Sequence, residues 1–345
     1  MKKLRTAIIG YGMSGKTIHL PALIKHPNYD VTVIMTRQEE RIREINEQYP
    51  NIDVVNDYIT VIEDPNIDLV IIATSNDKHY EYTKEALLHY KHVICEKPFV
   101  DTYTKAKELF DIAQANDVIL RVYHNRKYDG DVLTIKKLLK EKDFGTLVSF
   151  HARFDRYQPT IQQNWRFDIG HMAGIYYDLA PHLVHHAIEL FGLPELVFNT
   201  LYDDREHTKV DDHFEMVLYY PTHTVFLGSH MLERYPKPRF EIIGTKASYV
   251  KCGQNEPEFV AFDNHELFQN QVDLSAFITS PEHKESIPVM MGKHYMFYDV
   301  FYLDVIEHID NDHDKQLALS VILVMQLGLV SHQTKQMMKV PHKTS

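Results

Sequence analysis

The segment Gly10-Tyr-Gly12-Met13-Ser14-Gly15-Lys16-Thr17 constrains this chain more than any other, because it satisfies two incompatible nucleotide-binding patterns at once. As G-x-G-x-x-G it is a dinucleotide-binding turn; as G-x-x-x-x-G-K-[ST] it is the phosphate loop of an ATPase or GTPase. The local physics is shared. An apolar strand, Leu4 to Ile9, runs into glycines that let the backbone approach a phosphate, and the following helix N-terminus supplies unpaired N–H groups and a positive dipole end. A phosphate-loop NTPase also needs an acidic Mg2+ ligand at the end of another buried strand, yet Asp68 to Ala73 runs into Thr74-Ser75-Asn76. Pro21 restricts a long helix under either pattern and decides little. The next strand, Val31 to Met35, ends about twenty residues beyond the glycines, where a dinucleotide fold reads the adenosine ribose. Context therefore favours the dinucleotide pattern.

A chain of 345 residues predicts two domains, each with room for a substantial core. With 44% apolar and 25% charged residues it has the composition of an ordinary globular protein. A net charge of -11 without a basic stripe argues against a nucleic-acid partner. Only Ala7-Ile8-Ile9 separates the basic start from Gly10, too short for a secretion signal, and no run approaches the roughly eighteen apolar residues of a membrane span. A cytoplasmic protein with no membrane partner is expected. Cys95 and Cys252 are too few for a disulfide framework or a cysteine zinc site, and Cys95 reads as an inert small hydrophobe.

Strand-like runs alternate with helical patterns through the first third: Leu4 to Ile9, Val31 to Met35, Val54-Val55, Leu69 to Thr74, Val93 to Cys95 and Val118 to Val122, with helical spacing over Glu39 to Gln48 and Thr104 to Ala115. This predicts an α/β Rossmann domain, a doubly wound parallel sheet, over residues 1–122. Beyond it the pattern changes. A helical Asp131 to Lys140 leads into Gly145 to Phe154, a helix around Ile175 to Phe191, and strand-like runs at Val197 to Leu201, Phe214 to Tyr220, Thr224 to Met231 and Phe240 to Ile243. Residues 123–345 are expected to form an α+β substrate-binding and oligomerisation domain with a large, mainly antiparallel open sheet, on which an apolar helix from Gln316 to Met337 packs.

The fifth strand ends in Glu96-Lys97-Pro98. Ligands of open α/β sheets bind outside the carboxyl ends of the strands, so Lys97 would face a cofactor crevice, although by residue type alone it reads as a solvated lysine in a turn. With the glycine turn and its continuation to His19-Leu-Pro21, Thr74-Ser75-Asn76-Asp-Lys-His79, Glu96-Lys97-Pro98, His124-Asn125-Arg126 and Tyr177-Asp178-Leu-Ala-Pro-His182, the chain resembles the glucose-fructose oxidoreductase and inositol dehydrogenase (Gfo/Idh/MocA) family over nearly its full length. Within that family it is most similar to NADP-dependent scyllo-inositol dehydrogenases. The resemblance implies a catalytic triad of Lys97, Asp178 and His182. It also implies a cofactor site lined by Gly10, Gly12, Met13, Ser14, Gly15, Thr36, Arg37, Arg41, Thr74, Ser75, Asn76, His79, Glu96 and Lys97. Asn125, Tyr157, Trp165 and Arg166 would line the substrate pocket, although Trp165 is equally readable as a partly exposed core residue.

Asp178, His182, His185, His186 and Glu189 form a polar stripe opposite Leu183, Val184, Ala187, Ile188, Leu190 and Phe191. Pro181 requires a helix that begins at Asp178, a good N-cap, or one that kinks there. The stripe has two other readings, a solvated face and a zinc site; with no third ligand identifiable elsewhere, no metal is expected.

The implied chemistry is reversible oxidation of a secondary alcohol. His182 accepts the hydroxyl proton as hydride leaves, Lys97 stabilises the alkoxide-like charge, and Asp178 orients His182. Cofactor choice is legible after the second strand. Thr36-Arg37 stand where an acidic residue usually holds a ribose 2'-hydroxyl, and they offer a hydroxyl and a guanidinium to a 2'-phosphate, which favours NADP over NAD. The alternative is an Arg37 that caps the helix or pairs with Glu39 or Glu40. A non-enzymatic NADP-sensing regulator on the same fold and another sugar or keto-sugar reductase are the rival functions. Apolar residues on both faces of the later strands, with Val217 and Tyr219 opposite Phe214, Met216, Leu218 and Tyr220, predict a homodimer or homotetramer.

Overall fold

The structure of the protein, a computed structural model, describes residues 2–161, 170, 172–235, 237–253, 274–281, 283–309 and 312–341. Its first sheet has six parallel strands: β1 (Leu4–Ile9), β2 (Tyr29–Met35), β3 (Asp53–Val55), β4 (Leu69–Ile72), β5 (His92–Cys95) and β6 (Leu120–Val122). They lie in the order β3-β2-β1-β4-β5-β6, the arrangement of a dinucleotide-binding fold. Helices α1 (Leu20–Lys25), α2 (Glu39–Gln48), α3 (Tyr58–Glu63), α4 (His79–Leu88) and α5 (Tyr103–Ala115) make the crossovers. Leu69, Val70, Ile71 and Ile72 are all fully buried, as a strand covered on both faces must be, which is why β4 reads as an unbroken apolar run. Local signals set the helix starts. Asp57 caps α3 by accepting from Thr60 N at 3.1 Å, and Thr102 caps α5 by accepting from Lys105 N at 3.4 Å.

The second sheet has nine strands: β7 (Leu147–Arg153), β8 (Leu196–Tyr202), β9 (His213–Tyr219), β10 (Thr224–His230), β11 (Phe240–Gly244), β12 (Ser248–Lys251), β13 (Ala276–Thr279), β14 (Lys284–Ser286) and β15 (Met338–Lys339), ordered β14-β13-β12-β11-β7-β10-β9-β8-β15. All pairings are antiparallel except β7 with β10. Helices α6 (Gly130–Glu141) and α7 (Ile175–Phe191) contribute Ile135, Leu183 and Val184 to a core shared with Phe150, Met216 and Leu227. Along β9, Phe214, Met216 and Leu218 are buried while Glu215, Val217 and Tyr219 stay partly exposed, so one face of the sheet carries the core.

Two helices follow, α8 (Met296–Ile306) and α9 (Asp312–Thr334). The described residues divide into two compact units, one within 1–124 and 294–316, the other within 125–293 and 317–345. The division expected at residue 122 therefore omits the return of α8 to the first unit. There Tyr29 Oη donates to Tyr298 O at 2.6 Å, and Arg121 pairs with Asp304 at 2.9 Å. Helix α9 is long and apolar enough by length and composition to cross a membrane, although consecutive apolar residues alone do not mark it as a span. Half of it is buried, and Leu317, Val321, Val324 and Met325 belong to the second core.

Candidate active site

The three glycines of the first turn are required for different reasons. Gly10 has φ +107°, and a Cβ there would lie 2.4 Å from Ala73 O; at Gly15 it would lie 2.0 Å from Gly10 O. Both positions are closed by the protein's own backbone. A Cβ on Gly12 would meet only Arg41 Nη1, at 4.0 Å. Among the described residues nothing requires Gly12, so the open surface there fits the close approach of a pyrophosphate to the backbone. Helical residues Met13 and Ser14 follow, then a π-helical turn over Gly15–His19, after which Pro21 sits at the start of α1 where a missing N–H is tolerated.

Glu96 fastens this turn from β5. Its carboxylate accepts from Ser14 Oγ in a short hydrogen bond, from His19 Nε2 at 3.1 Å and from Lys97 N at 3.0 Å. His19 Nδ1 meets the Tyr298 hydroxyl at 2.9 Å, and that hydroxyl donates to Tyr123 Oη at 3.1 Å. Burial alone pushes the Glu96 carboxyl up, but the bonds from His19 and Ser14 and the charge of Lys97 outweigh it and hold the group down at about 2. Glu96 is a buried anion whose oxygens serve the protein, placing Lys97 at the strand end. His79 joins the two neighbouring strand ends, with Nδ1 2.8 Å from Pro98 O and Nε2 3.3 Å from Thr74 O, and burial keeps its pKa low. Beside it, Thr74 and Ser75 are half-buried and Asn76 is buried.

At the end of β2, Thr36 is buried and Arg37 donates from Nε to Asn56 O at 3.0 Å. Glu39 pairs with Arg43 at 3.9 Å, and among the described residues no carboxylate pairs with Arg37 or Arg41. The alternative of an Arg37 neutralised by its own helix does not occur.

In the second unit α7 starts at Ile175, three residues before the expected N-cap Asp178, and Pro181 lies inside it. The cap comes from another loop: Asp211 accepts from Tyr176 N at 2.6 Å through its carboxylate and from Ile175 N at 3.0 Å through its carbonyl. Preceding Gly174, at φ +94°, passes so close that a Cβ would lie 2.2 Å from Asp211 Oδ1. Asp178 thus occupies the first turn, where the helix dipole favours a carboxylate, and His182 follows one turn later. The polar stripe does not face water. His182, His185 and His186 are all at most 5% exposed. Glu189 pairs with Lys136 at 2.6 Å and lies 3.5 Å from His185, while His186 Nε2 donates to Arg126 O at 3.3 Å. Burial, followed by the charge of Arg239, holds His186 down at about 3, so it is neutral.

Around Asp178 and His182 stand Arg126, from the motif His124-Asn125-Arg126, and two residues that the sequence did not single out, Phe154 and Arg156. The ring of Phe154 lies 6.3 Å from that of His182, and the Arg126 guanidinium lies 5.1 Å from Phe154. Burial lowers the pKa of Arg156, an effect opposed by the charge of Asp178 nearby. Phe154 and Arg156 alternate with Asp155 beyond the end of β7, a strand-like spacing that could have marked them. Asn125 opens a 3-10 turn before α6, and exposed Tyr157 lies beneath the Arg234 guanidinium at 4.5 Å. Trp165 and Arg166 lie outside the described residues.

Among the described residues, Asp204, His213 and His230 come close enough together to suggest a metal site. Leu232 N donates to His230 Nδ1 at 2.9 Å, which leaves the proton on Nε2, 3.2 Å from Asp204. His213 sits between Asp204 at 2.7 Å and Glu215 at 3.4 Å, and although burial opposes it, these carboxylates raise its pKa. The group is arranged as an ion network rather than as a set of lone pairs facing a cation.

A dinucleotide turn, a Lys at the end of β5 and, on α7, a half-buried Asp178 one turn before a buried His182 are the features of an NAD(P)-dependent oxidoreductase acting on CH–OH groups. Residues 4–124 match the model of the oxidoreductase family with an NAD-binding Rossmann fold, and residues 132–250 match that of the GFO/IDH/MocA C-terminal domain. The chain belongs to the Gfo/Idh/MocA oxidoreductase family. It is 33% identical to the uncharacterized oxidoreductase YdgJ of Escherichia coli, over 95% of this chain and 96% of that one. It is 29% identical to the NADP(+)-dependent scyllo-inositol 2-dehydrogenase IolW of Bacillus subtilis, over 98% and 96% respectively. An oxidoreductase structure from Yersinia pestis superposes with a TM-score of 0.89 at 31% identity, covering 99% of both chains.

Proposed function

We propose that the protein transfers hydride between NADP and a secondary alcohol or ketone of a cyclic polyol or sugar, with scyllo-inositol and scyllo-inosose the favoured pair. The observation that carries this is the Asp178–His182 pair, one turn apart on a buried helix. His182 takes the hydroxyl proton in oxidation and returns it in reduction, because an imidazole exchanges protons near neutral pH. Asp178 orients the ring and favours its protonated form. Lys97 donates to the reacting oxygen and stabilises its developing negative charge. The bound nicotinamide supplies or accepts the hydride. Arg37 and Arg41, without carboxylate partners among the described residues, answer the charge of a 2'-phosphate and support NADP over NAD. The relative that acts on scyllo-inositol supports the substrate class; another sugar or keto-sugar reductase is the second reading.

The protein is further proposed to be a cytoplasmic homodimer or homotetramer without nucleic-acid or membrane partners. The second sheet's less covered face supports the oligomer, since it presents Phe226, stacked on His151 at 4.6 Å, with Val217 and Tyr219. Light scattering that returned only the 40.5 kDa monomer would remove the oligomer. The activity is tested by a spectrophotometric screen of inositols, inososes, aldoses and ketoses with both cofactors. NADP-linked turnover of scyllo-inositol is the expected result, and NADPH binding with no turnover of any polyol or ketose would make the protein a sensing regulator instead.

A further inference from the structure

Arg239 is a buried cation whose opposing charges, Asp131 and Asp129, act on it from beyond ion-pair distance. It is 4% exposed, and among the described residues no carboxylate lies within ion-pair distance of it. Its neighbours are answered: Arg126 by Asp129 at 3.2 Å, and Arg153 by Asp155 at 2.8 Å and Glu215 at 2.7 Å. Arg239 has only a hydrogen bond from Nη1 to Arg153 O, at 2.7 Å, and the faces of Phe154 and Phe240 at 3.5 and 4.4 Å. Cation–π contacts offset part of the cost of desolvating a charge, not all of it. Among the described residues, Nε and Nη2 have no hydrogen-bond partner. These two nitrogens form one edge of the guanidinium, with parallel N–H bonds spaced for the two oxygens of an oxyanion.

The position of this edge is informative. Phe154 carries Arg239 on its face, Arg126 at 5.1 Å and His182 at 6.3 Å, while Arg156 follows two residues along the same strand-like segment, within the field of Asp178. Among the described residues, three guanidiniums and Lys251, which lies 3.8 Å from Asp131, stand against three carboxylates, Asp129, Asp131 and Asp178, leaving one positive charge in excess beside the proposed general base.

We propose that Arg239, with Arg126 and Arg156, binds an oxyanion carried by the substrate itself, a carboxylate or a phosphate ester, so that acidic sugars rank ahead of neutral inositols. This rests on the hydride-transfer function proposed above and narrows its substrate class. A neutral polyol would answer the Nε–Nη2 edge with hydroxyl oxygens, which can accept its N–H bonds but leave its charge uncompensated.

The test is calorimetric titration of the NADPH-loaded protein with D-glucuronate, glucose 6-phosphate and D-glucose. At least one acidic sugar is expected to bind tenfold or more tightly than glucose, on the order of one charge-assisted contact. Preference for the uronate identifies a carboxylate, and preference for the ester a phosphate. Arg239→Met removes the acidic-over-neutral ratio, and Arg239→Lys, which keeps the charge but loses the fork, retains part of it. In the wild type, sodium sulfate competes with the acidic sugar and not with glucose, a readout that does not depend on either variant folding. Equal binding of acidic and neutral sugars, no binding of either acidic sugar, or an unchanged ratio in a folded Arg239→Met would overturn the inference. Binding is read without turnover. Acid-selective binding without hydride transfer leaves the inference standing and removes the enzymatic function, whereas scyllo-inositol turnover without acid preference does the reverse.

Discussion

Glu96 in the first unit and Arg239 in the second are buried charges of similar exposure, 7% and 4%, and the protein treats them in opposite ways. Glu96 accepts three hydrogen bonds from its surroundings; Arg239 gives one and keeps an edge unanswered. A buried charge whose partners are all internal acts as a fastener, because removing it strands those partners. A buried charge with an open edge adds little to the fold and is better explained by something that binds. The two residues are told apart by their partners, and burial alone would have grouped them together.

The hardest test of the division between fastening and reacting groups is to remove the reacting ones. Lys97→Met and His182→Ala should each lower kcat by about a hundredfold to ten-thousandfold while NADPH still binds, since general acid–base and electrostatic groups act on the transition state. Near wild-type kcat in either variant would return that residue to a structural role. Next in size is a stability contrast. Glu96→Ala should cost about 3–5 kcal/mol in chemical denaturation because it leaves His19 and Ser14 buried without their acceptor. Arg239→Met, which replaces an unpaired cation with an apolar chain, should be neutral or stabilising. Equal losses in the two variants would abolish the distinction.

Arg37→Ala should reduce the NADP-over-NAD ratio in kcat/KM roughly tenfold to a hundredfold, the size of one charge-assisted contact to a phosphate; an unchanged ratio would assign the 2'-phosphate elsewhere. The smallest effect expected is on acid stability. His186 is held neutral, at about 3, against 6.5 in an unfolded chain, so below pH 6.5 the unfolded state binds the extra proton. Its contribution is complete above 6.5 and declines as pH falls towards 3, by roughly 1 kcal/mol at pH 5.5. His92, held at about 4 chiefly by burial and accepting from Ile119 N through Nδ1 at 3.0 Å, acts in the same direction. Urea midpoints of His186→Gln that follow the wild-type pH profile between 5.5 and 7 would show that His186 is not the group titrating.

The parallel sheet was legible because its strands are short apolar runs separated by crossovers, and periodicity needs no long-range information to show them. Helix α7 was legible with its bounds, Ile175 to Phe191, but its cap was not. Asp178 and Pro181 each resemble a start signal, whereas the actual cap, Asp211, lies thirty-three residues after Asp178 in sequence. Helix α8 escaped because Phe297, Tyr298, Phe301, Tyr302 and Val305 combine helical spacing with residue types that favour strands. In the site, the glycines, Lys97, Asp178 and His182 carry local motifs. The roles of Glu96 and Arg239 depend on partners brought from distant positions, Ser14 and His19 in one case and Phe154 and Arg126 in the other. No window along the chain contains them.

The return of α8 also bears on how the protein is made. Tyr298 closes the line from His19 to Tyr123, and Asp304 answers Arg121, so the cofactor-binding unit is unfinished until translation has passed residue 306. Leaving the ribosome, residues 1–124 carry a buried-type arginine without its acid and an open tyrosine seat beneath the glycine turn. The unit that is synthesised first is completed only after residues 125–293 have emerged, and until then the surfaces that α8 covers stay open.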